Sequence, residues 1–179
     1  MKYNAFYYLF LVLLSLGCST DDSNTEEETV EYAMTAVING ELYEMNSAFG
    51  ANQATNSIFT YYPDDEYIFI QGRYSGPLGA LELNMGINRD DLVVGTYPVN
   101  LSTDGFDTHI DLIDLTNDTF GNPVYENTVS GFIAITFVDE SAKVVKGTFE
   151  FDTIADQDET SPVNFSITEG TFNYRYDVD

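Results

Sequence analysis

Apolar and polar residues alternate along most of the chain after residue 30. In residues 81–88 the apolar side chains Leu81, Leu83, Met85 and Ile87 are separated by polar or small residues, and residues 145–152 repeat this pattern. Successive side chains of a β-strand point to opposite faces, so the alternation predicts strands with one buried face. No segment shows a sustained apolar period of 3.6 residues, and we therefore expect helices to be minor.

Turn signals separate the alternating segments. Asn39-Gly40 predicts a tight hairpin, because both central residues of such a turn adopt positive φ angles that asparagine and glycine tolerate. Gly76-Pro77 and residues 139–142 indicate further turns. About ten strands joined in this way predict an all-β fold, a single antiparallel β-sandwich, with a closed antiparallel β-barrel as the alternative.

The last segment contains a slip in the alternation. Apolar side chains occupy odd positions from Val163 to Ile167 and even positions from Phe172 to Tyr176. A strand changes face only through an extra residue, so we expect a bulge at residues 168–170, with Gly170 taking the unusual backbone angles.

A short echo accompanies this slip. Gly147-Thr148-Phe149 resembles Gly170-Thr171-Phe172, 23 residues later. Two copies are too few for a solenoid, and they predict adjacent strands with similar structural needs.

The charge of the chain limits its partners. Its 179 residues include 30 Asp or Glu and 6 Lys or Arg, a formal net charge of −24. With 44% hydrophobic residues the chain is too apolar for a disordered acidic tail, so the acids should coat a folded core. Nucleic acid is excluded as a partner, because a polyanion requires a basic footprint. The same repulsion disfavours binding to a bare anionic membrane surface.

The N-terminus has the pattern of an export signal. Lys2 precedes an apolar run over residues 5–16, which is shorter than the roughly 20 residues that cross a bilayer as a helix. Cys18, the only cysteine, follows this run directly. A lone cysteine in an exported protein has no internal disulfide partner, so another role is expected.

The stretch Leu14-Ser15-Leu16-Gly17-Cys18 resembles a bacterial lipoprotein signal. The resemblance implies cleavage before Cys18 and attachment of a lipid, with fatty acids such as palmitate, to the Cys18 sulfur. Ser19, Thr20, Asp21 and Asp22 resemble the signal that sends Bacteroidota lipoproteins to the outside of the outer membrane; residence facing the periplasm is the alternative. The implied organisation is a signal peptide over 1–17, a lipidated Cys18 with a disordered acidic tether over 18–29, and a β-sandwich domain over 30–179.

Parts of that domain resemble an uncharacterised all-β family of Bacteroidota lipoproteins. The similar parts are residues 35–40, 145–151 and 169–172, which are strand and turn residues. The resemblance therefore implies the fold and the location, and it implies no catalytic residue.

Catalytic motifs are absent from the sequence. It has one histidine, no G-x-S-x-G turn and no set of His and Cys ligands of the zinc type. We therefore do not expect an enzyme. A glycan hydrolase that uses paired carboxylates stays as a less favoured alternative, because 30 acids offer many pairs.

Two kinds of cation site are candidates. His109 shares a strand face with Asp107 and Asp111, whose carboxylates would favour its protonated form; the alternative is a solvated strand face. Acids also cluster on two segments with turn composition that would suit calcium, although neither matches an EF-hand. These acids are Asp104, Asp107, Asp156, Asp158 and Glu159. The alternative is a charged turn, and no cofactor is otherwise expected.

Aromatic residues supply another candidate site. Tyr61, Tyr62, Tyr67 and Tyr74 cluster around one hairpin and could form a platform for a neutral glycan or a peptide. Asp152-Thr153-Ile154 also resembles an O-glycosylation signal of exported proteins in the same phylum. The sequence as a whole predicts a lipid-anchored outer-membrane protein with a non-catalytic domain that binds a glycan or an envelope protein, or that serves as a structural or adhesive component.

Overall fold

The chain forms β-strands almost throughout the part that the structure describes. The computed structural model describes residues 32–47, 66–100, 108–116, 123–155, 158 and 160–176. Its strands are β1 (Met34–Ile38), β2 (Glu41–Ser47), β3 (Tyr67–Gly76), β4 (Gly79–Asn88), β5 (Gly95–Asn100), β6 (His109–Asp114), β7 (Val124–Tyr125), β8 (Asn127–Asp139), β9 (Val144–Ile154) and β10 (Phe165–Arg175). Within these ranges the one helical element is the 3₁₀ turn Arg89–Asp91.

The strands pair in a single antiparallel order that folds into two layers. The order is β5-β8-β9-β10-β1-β2-β3-β4-β6-β7. β2 belongs to both layers: it pairs with β1 along most of its length, and its last residues, Asn46 and Ser47, pair with β3. The described ladder ends on two different strands, β5 and β7, so it does not close into a barrel. The predicted β-sandwich is confirmed and the barrel alternative is wrong.

The chain links the two layers again at the opposite corner. After β7 the backbone follows the edge of β6, where the Glu126 N–H donates to the Leu112 carbonyl over 2.9 Å. The Thr128 hydroxyl donates to the Ile110 carbonyl, and the chain then enters β8 in the other layer. The strand edges at this corner are therefore covered by the chain itself, which limits edge-to-edge pairing with other molecules.

The core lies between the layers and follows the predicted alternation. The odd-numbered residues Leu81 to Ile87 of β4 and Val145 to Phe151 of β9 are buried, and they join one hydrophobic cluster with residues of the other strands. This burial supplies the main driving force for the fold.

The Asn39-Gly40 hairpin is confirmed. Asn39 has φ of 50° and Gly40 has φ of 87°, as a tight turn between β1 and β2 requires. The Asn39 side chain also accepts from the Ser166 N–H at 2.9 Å and donates to the Asn164 carbonyl at 3.1 Å. The turn is thereby fastened to the start of β10.

β10 contains the predicted bulge, but the unusual backbone angle belongs to a different residue. Its register against β9 shifts between Ile167 and Gly170. Glu169 has φ of 52°, whereas Gly170 is outside the positive-φ region, so the expectation for Gly170 is wrong. Glu169 is exposed, and its side chain can extend into solvent from the bulge.

Gly147 and Gly170 are required by packing. The echoed strands are neighbours, as predicted: Gly147 pairs with Phe172, and Gly170 pairs with Phe149. A Cβ at Gly170 would lie 2.5 Å from the Phe149 ring, and one at Gly147 would lie 2.5 Å from Cζ of Phe172. Each ring therefore occupies the space that a side chain on the opposite strand would need.

We expect Gly170→Ala to lower the free energy of unfolding by about 1–3 kcal/mol, because the added methyl group overlaps the Phe149 ring and its carbonyl oxygen. Glu169→Gly is the matched control, since glycine tolerates the positive φ there and should leave stability unchanged or raise it. Urea denaturation followed by circular dichroism measures both. A neutral Gly170→Ala would contradict the packing role.

Candidate functional site

The outer face of β3, β4 and β6 carries a group of polar and aromatic side chains that we call the β4 face. Alternation turns Leu81, Leu83 and Met85 of β4 inward, so the residues between them point outward. Pairing with the neighbouring strands then creates three rows across the sheet. These rows are Phe69–Gly86–His109, Gln71–Asn84–Asp111 and Arg73–Glu82–Ile113.

Glu82 organises the polar part of this face. Its side chain accepts from Gln71 Nε2 at 2.6 Å and from Asn84 Nδ2 at 3.1 Å, and it pairs with Arg73 Nε at 3.1 Å. Gln71 Nε2 also donates to Asn84 Oδ1 at 2.6 Å. Glu82 is only 8% exposed, so these donors offset the desolvation of its charge. The network holds the amides of Gln71 and Asn84 in fixed orientations.

Gly86, in the first row, is covered by the His109 ring. It lies between Phe69 and His109, and the His109 ring bends over it so closely that a Cβ at Gly86 would lie 2.7 Å from His109 Nε2. The His109 ring centroid lies 5.8 Å from that of Tyr67 and 6.5 Å from that of Phe69. Three rings therefore surround a residue without a side chain.

The predicted pair His109 and Asp111 lies on one face of β6, as the sequence indicated. Asp111 follows His109 in the adjacent row, beside Asn84. Although Asp111 is exposed at the strand surface, partial desolvation by the side chains around it raises the pKa of its carboxyl, and the His109 charge opposes this shift. Asp107, the other predicted neighbour of His109, lies outside the described residues.

The predicted tyrosine platform is wrong for its two described members. Tyr67 belongs to the outer face of β3 but is only 6% exposed. Tyr74 belongs to the inner face, where its ring packs 4.9 Å from the ring of Tyr43. Seven positions separate Tyr67 and Tyr74, and an odd separation along a regular strand places them on opposite faces. Tyr61 and Tyr62 lie outside the described residues.

Phe69 is an exposed aromatic residue of this face that the sequence pattern did not single out. It is 38% exposed and pairs with Gly86 of β4. Phe69 occupies an odd position of β3, whereas the apolar residues of this strand otherwise favour even positions. This break in the pattern is the signal that could have identified it. Its pairing with a glycine depends on the register of β3 against β4, which only the fold establishes.

Of the acids predicted to bind calcium, Asp158 is the one that lies within the described residues. Asp158 Oδ1 accepts from the backbone N–H of Thr160 at 3.0 Å and from its hydroxyl at 2.7 Å, and these bonds lower the pKa of Asp158. This geometry is that of an Asp capping its own turn. Asp104, Asp107, Asp156 and Glu159 lie outside the described residues. Within the described ranges, no group of three or more His, Cys, Asp or Glu side chains is placed to hold a metal ion.

The N-terminal predictions also lie outside the described residues. They concern the signal peptide, Cys18, and Ser19, Thr20, Asp21 and Asp22 of the export signal. In the part of the chain that the structure describes, no helix is long and apolar enough to cross a membrane.

Thr153 is inaccessible to glycosylation in the folded domain. It is completely buried, and its hydroxyl donates to Glu126 Oε2 at 3.2 Å. Asn164 Nδ2 donates to the other carboxylate oxygen of Glu126 at 2.8 Å. Thr153, in the segment that resembles a glycosylation signal, is therefore a core residue. Its contact with Glu126 helps to hold the loop before β10 in place.

One shallow pocket contains an acid pair. It has a volume of about 200 Å³ and lies over β8, β9 and β10, with Glu150 and Asp152 in its lining. These two residues project side by side from one face of β9. Glycosidase carboxylates flank the scissile bond from two sides, and this pair does not provide that arrangement.

Comparison of the chain with protein-family models, with curated proteins and with solved structures finds no match.

We expect the stability of the protein to respond to pH through Asp111. Because its pKa is raised, the native state holds its proton to higher pH than the unfolded chain does. The stabilisation that the neutral carboxyl provides is complete below the pKa of Asp111 in the unfolded chain, about 3.9. It is lost as the pH rises through the pKa of Asp111 in the native state. Asp111→Asn stays neutral, so its melting temperature should rise relative to wild type between about pH 3 and about pH 7.

Thermal melts of both proteins at the two pH values test this prediction. Glu150→Gln, an exposed change of the same charge, corrects for the altered net charge. A difference between Asp111→Asn and wild type that is identical at both pH values would contradict it.

Proposed function

We propose that the protein is a lipid-anchored outer-membrane protein, displayed on the cell exterior, whose β-sandwich domain binds a neutral glycan on the β4 face. The observation that carries the binding proposal is the row Phe69–Gly86–His109, which combines the exposed Phe69 ring with the His109 ring packed over Gly86. The adjacent row Gln71–Asn84–Asp111 places hydrogen-bonding groups beside it.

The chemistry of the two rows suits a polyhydroxylated ligand. A sugar has an apolar C–H face that packs on an aromatic ring, and hydroxyl groups that need both donors and acceptors. Phe69 supplies the ring, while the amides and the Asp111 carboxylate supply polar partners. Since Glu82 already orients the amides, little side-chain entropy would be lost when a ligand binds.

The charge of the protein favours a neutral ligand over an anionic one. A net charge of −24 repels phosphorylated or sulphated partners at long range. The described cation on the β4 face, Arg73, is already paired with Glu82. A neutral glycan avoids this repulsion and tolerates the acidic surface.

The lipid anchor is supported by the sequence. An apolar run of export-signal length ends at the sole cysteine, and an acidic segment follows it. Five acids and no cation occur in residues 19–29, so this segment cannot offset its ordering entropy by burial and should act as a tether. Two or more acyl chains would give durable anchoring, since each buried methylene contributes about 0.8 kcal/mol.

We expect Cys18→Ser to abolish incorporation of labelled palmitate and to release the protein from the membrane fraction, because serine lacks the thiol that accepts lipid. Asp21→Asn with Asp22→Asn is the matched control. It should keep the label while reducing surface display, measured by protease accessibility on intact cells. Persistent labelling of Cys18→Ser would refute the anchor.

We expect Phe69→Ala to weaken binding of a neutral glycan about two- to tenfold, since an aromatic contact contributes about 0.5–1.5 kcal/mol. A glycan array identifies the ligand and calorimetry measures the affinities. Phe137→Ala is the control, because Phe137 is 44% exposed but belongs to the other layer. Equal effects of the two substitutions would exclude the β4 face. An array without any bound glycan would instead favour the structural or adhesive role.

A further inference from the structure

The described lysines and arginines are concentrated at one end of the sandwich. This entry end comprises the starts of β1, β5 and β9 and the ends of β4, β8 and β10. Arg89 follows β4, Lys143 precedes β9, Lys146 is the third residue of β9 and Arg175 is the last residue of β10. The remaining described cation, Arg73, lies in β3 and pairs with Glu82.

Backbone contacts place these segments together. The Tyr176 N–H donates to the Lys143 carbonyl at 2.8 Å, which joins the end of β10 to the turn before β9. Met34, at the start of β1, pairs with Phe172 near the end of β10. The four cations therefore share one end of the molecule, although they come from separate parts of the sequence.

The opposite end has a different charge. It contains the Asn39-Gly40 turn, the loop before β10 and the corner after β7. Glu41, Asp114, Glu126 and Asp158 lie there, and the described residues at this end include no Lys or Arg. Four of the five described cations therefore lie at the entry end, together with acids such as Asp90, Asp91, Asp139 and Glu140, whereas the described charges of the opposite end are all acidic.

Exposed apolar side chains accompany the cations. Val93, Val94 and Phe137 are exposed and line an open groove of about 540 Å³ at the entry end, together with Leu92 and Val138. Lys146 Nζ lies 5.7 Å from the centroid of the Phe137 ring. Asp139 and Glu140 also line the groove, so its charge is mixed. Asp139 accepts from the N–H groups of Ser141 and Ala142 and thus caps the turn.

The chain enters the domain at this same end. Residue 32 leads directly into β1, so the segment that follows Cys18 connects here. Thirteen residues lie between Cys18 and residue 32, and this segment spans at most about 50 Å and on average about 20 Å. A short tether keeps the entry end close to the membrane surface, at an effective concentration in the millimolar range. A weak contact between the two is therefore well populated.

We propose that the entry end rests on the surface of the bilayer that holds the anchor. This inference rests on the proposed lipidation of Cys18. Val93, Val94 and Phe137 enter the headgroup region, and Lys146 and Arg175 contact lipid phosphates beside them. The acidic far end is repelled by an anionic surface and points away from it. The β4 face runs along the side of the sandwich and stays open to solvent.

Tryptophan fluorescence tests this orientation, because the chain contains no tryptophan. Val94→Trp places a probe in the apolar patch, where Val94 is 68% exposed. Val163→Trp is the matched control: Val163 is 52% exposed and lies in the loop before β10, at the far end. The lipidated full chain carrying each substitution is reconstituted into vesicles of phosphatidylcholine and phosphatidylglycerol, with or without brominated phosphatidylcholine as quencher.

We expect brominated lipid to quench Val94→Trp at least about twofold and to leave Val163→Trp unchanged. Lys146→Glu with Arg175→Glu should reduce the quenching of Val94→Trp, with far-UV circular dichroism as the folding control.

Equal quenching of the two probes in vesicles that carry the protein would overturn the orientation and leave the anchor intact. Failure of the protein to float with vesicles would overturn both. A spectral shift of Val94→Trp that depends on protein concentration without lipid would show that the patch binds a second copy, which also overturns the proposal.

Discussion

Two phenylalanine rings in the larger sheet each cover a glycine of the neighbouring strand, and the pairing of β9 with β10 depends on this packing. Phe149 lies over Gly170 and Phe172 lies over Gly147, and the two rings are 6.5 Å apart. A register shift of one residue would turn these rings to solvent. Because β9 and β10 lie between β8 and β1 in the sheet, this one contact determines how both halves of the layer attach.

A similar pairing of a ring with a glycine recurs on the outside of the second layer, where it serves a different purpose. There the His109 ring lies over Gly86, with Phe69 on the other side. In the core such packing of a ring on a glycine raises the packing density. On the β4 face the rings of His109 and Phe69 stand beside amides that Glu82 orients, and this combination is the basis of the proposed ligand site. The buried side of β4 makes this possible, since its alternating Leu, Met and Ile hold the strand rigid.

The charge of the protein is distributed unevenly along the folded domain. The net charge of −24 by itself indicates only a soluble surface that repels polyanions. Among the described residues, the charged side chains of the far end are all acidic, whereas Lys146 and Arg175 lie with acids and exposed apolar residues at the entry end. This polarity connects the two proposals. A domain held by its entry end on a membrane presents the β4 face and the acidic end to the surroundings.

Local patterns in the sequence determined the strands, the Asn39-Gly40 turn and the bulge before Phe172, because each depends on neighbouring residues and their backbone preferences. The sequence also placed His109 and Asp111 on one strand face, since period-two alternation needs no knowledge of the partner strand. It assigned the unusual backbone angle to Gly170 instead of Glu169, and it grouped Tyr67 with Tyr74. Those questions, like the burial of Glu82 and Glu126 and the packing of His109 over Gly86, depend on which strands become neighbours and in what register. Pairing between residues far apart in the chain is decided by the packing of the whole core, so only the tertiary structure could determine it.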